Sequence, residues 1–258
     1  MATSKTSPLP AVLVTGAGQR LGADIARRFA AEGWHVVIHY RDSAEDAARM
    51  ASQLPSAEIV QFDLADTADV EQAVSAMAQR LPRWSALVNS ASLFEPDEAR
   101  RIDDDVFDRA MATNARGCVH LAQAFLAHAT SVDGRCVINV LDQKLANMNP
   151  DFFSYTMAKA ALGAATEMLA MAYADTQDRI YGLAPGAMLP SHDQAEEAHQ
   201  VSGRMNLLSR LTLPDELADA ATFLATGAAQ SGTVIYVDSG QHLLNQDRDV
   251  LYLAREDG

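Results

Sequence analysis

Short runs of aliphatic and β-branched residues alternate along this chain with longer stretches in which apolar residues recur every three or four positions. The first pattern fits strands buried on both faces, and the second fits amphipathic helices. Strands are predicted over residues 11–15, 34–40, 58–62, 86–89, 135–140, 179–184 and 233–237. Helices are predicted over 23–32, 44–54, 67–81, 103–126, 194–201 and 214–226, with a further helix-forming stretch around Tyr155-Thr156-Met157-Ala158-Lys159. The strands read as continuous apolar runs, and a helix follows nearly every one. The fold class is therefore α/β, with a doubly wound parallel sheet of about seven strands in a single domain.

Two local patterns carry chemistry. The first run ends in Thr15-Gly16-Ala17-Gly18-Gln19-Arg20-Leu21-Gly22 and passes directly into a helix. A strand, a glycine turn and a helix in that order let backbone N–H groups and the positive helix end approach a dinucleotide pyrophosphate. In the second, Tyr155 and Lys159 stand four residues apart and so share one helix face. An ammonium beside a phenol favours the phenolate, so this spacing predicts a tyrosine whose pKa is lowered towards neutrality.

The 258 residues fit one large α/β domain or two small ones, and the continuous alternation favours one. No apolar stretch approaches the ~20 residues that span a bilayer. Residues 1–10 hold one Lys and no apolar core of signal length; they read as a flexible lead-in to a cytoplasmic protein. A net charge of −14 argues against nucleic-acid binding, which needs concentrated Lys and Arg. An anionic cofactor then requires local cations, for which Arg20 and Arg41 are placed. Cys118 and Cys136 form no metal-ligand spacing and read as buried small hydrophobes. No metal site is expected.

Thr15-Gly16, followed by three residues and then Arg20-Leu21-Gly22, resembles the cofactor signature of the short-chain dehydrogenase/reductases. Most members have glycine where this chain has Arg20; the arginine resembles the pteridine reductase and dihydromonapterin reductase branch. The resemblance implies a Rossmann-type fold and cofactor contacts from Gly16, Gln19, Arg20, Leu21 and Gly22, with Arg20 also reaching a pterin. The alternative for Arg20 is an arginine on exposed surface. In the family register the acidic position that would bind the ribose of NAD falls on Tyr40, and Arg41 follows, which points to NADP(H). Asp42 is one register slip away from that position. Ser43 is a phosphate contact or a helix cap. Asp63 and Leu64 are implied contacts of the adenine, with a helix cap as the other reading of Asp63. Asn89, Ser90 and Ala91 stand where the family passes close to the cofactor ribose. Ser92 and Phe94 resemble the branch's substrate contacts, Phe94 as a platform for a flat pterin or as a cover over the core. Asn114 is implied to kink its helix and hold a relay water.

Most members have a catalytic serine thirteen residues before the tyrosine, and Asp142 stands at that distance from Tyr155. An ionised carboxylate only accepts hydrogen bonds, which makes ketone reduction less natural. In pteridine reductases an Asp here orients the tyrosine and helps to protonate a ring nitrogen. The resemblance thus implies NADPH-dependent hydride transfer to a pterin C=N bond. Tyr155 and Asp142 serve the proton, Lys159 the nicotinamide ribose and the tyrosine, and Asn114 the link to solvent. Pro185, Gly186 and Met188 are implied nicotinamide neighbours, and Ala187 replaces a threonine common in the family. Residues from about 187 to 210 form the expected substrate lid; His192 within it is a substrate contact or a solvated loop residue. The main domain is expected over 11–245. Residues 246–258 form an extension that is either a frayed tail or an interface in the homotetramer that the family implies. The rival readings are a reductase of a ketone or acyl carbonyl with Asp142 as a drifted serine, and a nucleotide-sensing protein without catalysis.

Overall fold

The computed structural model describes residues 8–191 and 194–256. His192 and most of the lead-in lie outside them. Seven strands form one sheet in the order β3-β2-β1-β4-β5-β6-β7, every neighbouring pair parallel. They are β1 Ala11–Val14, β2 His35–Tyr40, β3 Ala57–Gln61, β4 Trp84–Asn89, β5 Cys136–Val140, β6 Arg179–Pro185 and β7 Val234–Val237. Each predicted strand is present, with ends shifted by a residue or two. The strand order reverses between β1 and β4, and a doubly wound sheet opens its ligand crevice beyond the carboxyl ends of the strands at that point.

Alternating side chains of the buried strands feed two cores, one on each face. On one face α1 (Arg20–Ala31), α2 (Ala44–Gln53) and α8 (Pro214–Ala225) enclose Val12, Val14, Ile25, Phe29, Val36, Ile38 and Leu217. On the other, α3 (Thr67–Arg80), α5 (Cys118–His128) and the long α6 (Phe153–Ala172) enclose Leu13, Val37, Val74, Trp84, Leu87 and Phe125. No described helix is long and apolar enough to cross a membrane. Asp178 grips the Arg135 guanidinium through both carboxylate oxygens at 2.9 and 2.6 Å, and Arg135 also donates to the Leu126 and Ala129 carbonyls at the end of α5.

Two departures from the periodicity bear on the crevice. The first helix starts at Arg20 rather than 23, which brings its amino end to the glycine turn. The stretch expected as one helix over 103–126 is instead α4 (Asp104–Ala110), a π-helical segment over Met111–Gly117, and α5. The extra residue per turn re-aims the chain where Asn114 Nδ2 donates to Leu93 O and Asn114 Oδ1 accepts from Leu93 N, both at 2.8 Å. Gly117 lies in the same segment, and a Cβ there would come within 2.2 Å of Leu64 O. Beyond β6 stands α7 (Glu196–Ser202), and α9 (Val250–Glu256) packs against it.

Because the atom met at Gly117 is backbone, the neighbour cannot swing aside. Gly117→Ala is expected to cost about 1–3 kcal/mol, as overpacking does, read as a lower urea midpoint at an unchanged slope.

Candidate active site

A cavity of about 470 Å³ opens at the carboxyl ends of the strands. Its floor is the glycine turn. Thr15 Oγ1 accepts from the N–H groups of Ser90 and Ala91, each at 2.9 Å, so one hydroxyl fixes the spacing of the loops after β1 and β4. Gly16 sits in the left-handed region, and a Cβ on it would lie 3.1 Å from Ala91 Cα; one on Gly22 would lie 2.6 Å from Gly16 O. Those two glycines leave the turn narrow enough for its amides and the α1 amino end to reach an anion. His39 is buried beneath the turn. Its Nδ1 accepts from Gly16 N–H at 3.2 Å, so its Nε2 carries the proton and donates to Phe62 O at 2.9 Å, and the His39 and Phe62 rings lie 4.0 Å apart, tilted by 39°. Burial pushes the His39 pKa down to about 4.

Gln19, Arg20, Leu21, Tyr40, Arg41, Asp42, Ser43, Asp63 and Leu64 line the same end of the cavity. Arg41 Nε holds Asp42 Oδ2 at 2.6 Å, so the carboxylate that complicated the NADP reading is paired with the cation that supports it. Ser43 occupies the position before α2 without a side-chain cap bond. Asp63 Oδ1 accepts from Ala65 N–H at 2.8 Å, so this side chain serves its own loop as well as the cavity wall. Arg20 is left-handed at φ 54° and donates to Pro190 O at 2.9 Å, tying the glycine turn to the lid. These residues fit a phosphorylated dinucleotide: amides and cations at one end, small side chains along the turn.

At the other end Tyr155 donates its hydroxyl to Asp142 Oδ2 at 2.7 Å. Asp142 Oδ1 accepts from the Lys144 amide at 2.8 Å, which turns the carboxylate towards the tyrosine. Lys159 donates to Val140 O at 2.6 Å, and its Nζ lies 5.8 Å from the Tyr155 ring centre. Phe94 and Tyr155 lie perpendicular with ring centres 4.7 Å apart, and Phe94 stacks on Phe152 at 4.1 Å, with 37% of it exposed. Ser90, Ala91, Ser92, Pro185, Gly186 and Met188 complete the wall.

This geometry overturns the expected effect of Lys159. The Tyr155 pKa is raised well above its ordinary value, first by burial and then by the adjacent Asp142 carboxylate, because a phenolate there would be desolvated and face a like charge. Burial also raises Asp142 and lowers Lys159. The tyrosine thus keeps its proton at neutral pH. Asn89, expected at the cofactor, does not line the cavity; its Nδ2 donates to Asn139 Oδ1 at 2.8 Å and to Cys118 O at 3.2 Å inside the sheet. Asn114 likewise stands behind the wall, its amide holding Leu93 instead of reaching the cavity.

Several lining residues have no sequence signal: His39, Lys144, His199, Gln241, Asp249 and Leu251. They sit on a strand, a three-residue turn, the lid and the carboxyl end, and only folding gathers them. Gln241 Oε1 accepts from Ala187 N–H at 3.0 Å, the position where the family has a threonine.

The family model described as enoyl-(acyl carrier protein) reductase matches residues 16–242. The chain belongs to the short-chain dehydrogenase/reductase family. It is 31% identical to pteridine reductase 1 of Leishmania tarentolae, over 94% of this chain and 99% of that one. It is 32% identical to a galactitol 2-dehydrogenase (L-tagatose-forming) of Cereibacter sphaeroides, over 88% and 92%. Among solved structures it superposes on FolM alternative dihydrofolate reductase 1 from Brucella suis, in complex with NADP, with a TM-score of 0.86 and 32% identity over 92% and 96% of the two chains. Arg20 and Asp142 both fall within the matched span.

His39 must stay neutral to accept from Gly16. A histidine with a lowered folded pKa stabilises nothing on protonation; its unfolded form takes up protons first, so stability is present above about 6.5 and is lost as pH falls towards about 4. Unfolding free energy is expected to drop by about 3 kcal/mol over that window from this residue. His39→Gln should flatten that part of the urea-denaturation profile.

Proposed function

We propose that this short-chain oxidoreductase uses NADPH to reduce a pterin, dihydropterin to tetrahydropterin, and extends to fully oxidised pterins. The observation that carries the reading is the 2.7 Å hydrogen bond from Tyr155 to Asp142, beside the half-exposed ring of Phe94. The likeness to pteridine reductase 1 and to an NADP-bound FolM structure supports it.

NADPH, when bound, supplies the hydride. Gly16, Gln19, Arg20, Leu21 and Gly22 would hold its pyrophosphate; Arg41 and Ser43 would hold the additional phosphate, and Asp63 and Leu64 the adenine. Ser90, Ala91, Tyr155 and Lys159 would hold the nicotinamide ribose, and Pro185, Gly186 and Met188 the nicotinamide. Phe94 stacks on Phe152 and keeps 37% of its surface exposed, and the exposed part would lie along a flat heterocycle. Arg20 and Ser92 would meet the polar edge of that ring. Tyr155, aligned by the Asp142 carboxylate that accepts from its hydroxyl, transfers its proton to a ring nitrogen, and solvent restores that proton. We place the enzyme in the cytoplasm and assign it a homotetramer, with the exposed Met157, Met168 and Met171 of α6 supporting self-association.

The competing reading is reduction of a ketone or sugar-like carbonyl, favoured by the likeness to the galactitol dehydrogenase. NADPH oxidation with dihydrobiopterin, dihydromonapterin, dihydrofolate and a simple ketone, side by side, separates the two; turnover of the ketone alone sinks the pterin assignment. Tyr155→Phe is expected to lower kcat about 100-fold or more while NADPH still binds. Asp142→Ser should depress pterin reduction and, under the rival reading, raise ketone reduction. Since burial and the Asp142 carboxylate keep the tyrosine protonated above the ordinary phenol range, kcat should not fall as pH rises from neutrality towards the usual phenol pKa of ~10. A tyrosine with a lowered pKa would lose its proton, and kcat with it, over that range.

A further inference from the structure

The carboxyl-terminal segment lies beyond the last strand and outside the 16–242 span of the family match, yet Asp249, Val250 and Leu251 line the cavity beside the Tyr155–Asp142 pair. Three ties hold the segment there. Arg248 Nε donates to both carboxylate oxygens of Asp151, at 3.0 and 2.9 Å, and the Asp249 amide donates to Asp151 Oδ2 at 2.8 Å. Lys144 is 2% exposed; its Nζ donates to Asp151 O and lies 3.6 Å from Asp249 Oδ2. Leu251 is buried in one cluster with Phe152 and Tyr155, and Tyr252 extends the stack onto Phe152 at 5.8 Å.

Lys144 joins this segment to the chemistry. Its backbone N–H holds one oxygen of Asp142 while its side chain holds the segment, and the other Asp142 oxygen accepts from Tyr155. An ammonium so deeply buried is retained only with partners, and its partners are the turn before α6 and the carboxyl-terminal segment. A shift of the segment is transmitted to Tyr155 by two routes, through Lys144 to Asp142 and through Leu251 to the phenol ring.

We propose that Lys144, Asp249 and Leu251 are positioning residues, and that the segment 248–251 is an intrinsic wall of the active site that sets the alignment of the Asp142–Tyr155 pair with the substrate. This rests on the assignment of that pair as the proton-transfer machinery, not on the substrate being a pterin.

The test compares the intact enzyme with Lys144→Met, Leu251→Ala and a variant lacking residues 247–258. Turnover is read on whichever of the pterins or the ketone the intact enzyme reduces, and NADPH binding by fluorescence titration. The expected result is a kcat lower by about tenfold to a hundredfold, as a displacement of reacting groups by about an ångström produces. NADPH affinity should stay within about twofold, because the contacts that hold the segment are with Lys144, Asp151 and Phe152 at the other end of the cavity. A merely structural role would lower NADPH binding and folded fraction together. If the deletion variant does not fold, Leu251→Ala decides, since it trims one side chain and leaves all three ties. Variants with the kcat of the intact enzyme overturn the proposal; absence of pterin turnover in the intact enzyme overturns only the substrate reading.

Discussion

The hydroxyl of Tyr155 is held at 2.7 Å by the half-buried Asp142 carboxylate, and the chemistry of the cavity follows from that one contact. In water a phenol and a carboxylic acid titrate about six units apart. Inside this site burial disfavours the charged form of each, and the carboxylate adds a like-charge penalty to the phenolate, so both groups retain protons more strongly. An arrangement that keeps the tyrosine protonated suits a reaction in which the substrate gains a proton. Lys159, the cation expected to oppose this, is engaged with Val140 O and is itself desolvated.

Keeping such a pair in place requires buried polar groups to be satisfied around it, and the sheet supplies them in layers. Asn89 on β4 donates to Asn139 on β5, whose Nδ2 donates to Thr166 Oγ1 at 2.9 Å; Thr166 in turn donates to Leu162 O at 2.8 Å within α6. This network crosses from the central strands to the helix that carries Tyr155 and Lys159, so the helix is fixed in rotation as well as in depth. Thr15 does the same for the loops of the cofactor end, and His39 locks the glycine turn to the end of β3. Asn89 and Asn114 thus act one layer behind the positions expected of them. Their amides hold the backbone whose surface forms the wall.

The parts that were legible in the sequence are those in which a local rule suffices. Continuous apolar runs joined by helices specify a parallel sheet, and all seven strands form. A glycine turn between strand and helix specifies a phosphate cradle, because only a missing Cβ lets Gly16 pass Ala91. A four-residue spacing puts Tyr155 and Lys159 on one helix face, and the family resemblance implied that Asp142, thirteen residues before the tyrosine, would meet it, as it does. Arg20, Ser92 and Phe94 likewise line the cavity that the motif order implied. The break in the helix at Met111–Gly117 was implied by the resemblance at Asn114 and not by the apolar periodicity, which runs through a segment whose geometry depends on Leu93 and Leu64 from distant loops.

By itself the sequence determined the sheet, its winding and the glycine turn, because each follows from periodicity or spacing along the chain, while the Asp142–Tyr155 pairing was implied by the family resemblance. Only the tertiary structure decided the direction of the tyrosine's pKa, the place of Lys144 and the role of the last residues. Those depend on burial and on contacts between groups about a hundred positions apart, such as Asp151 with Arg248 and Asp249. Solvent exclusion and electrostatic interaction are set by distance in space, and a one-dimensional pattern does not contain that distance.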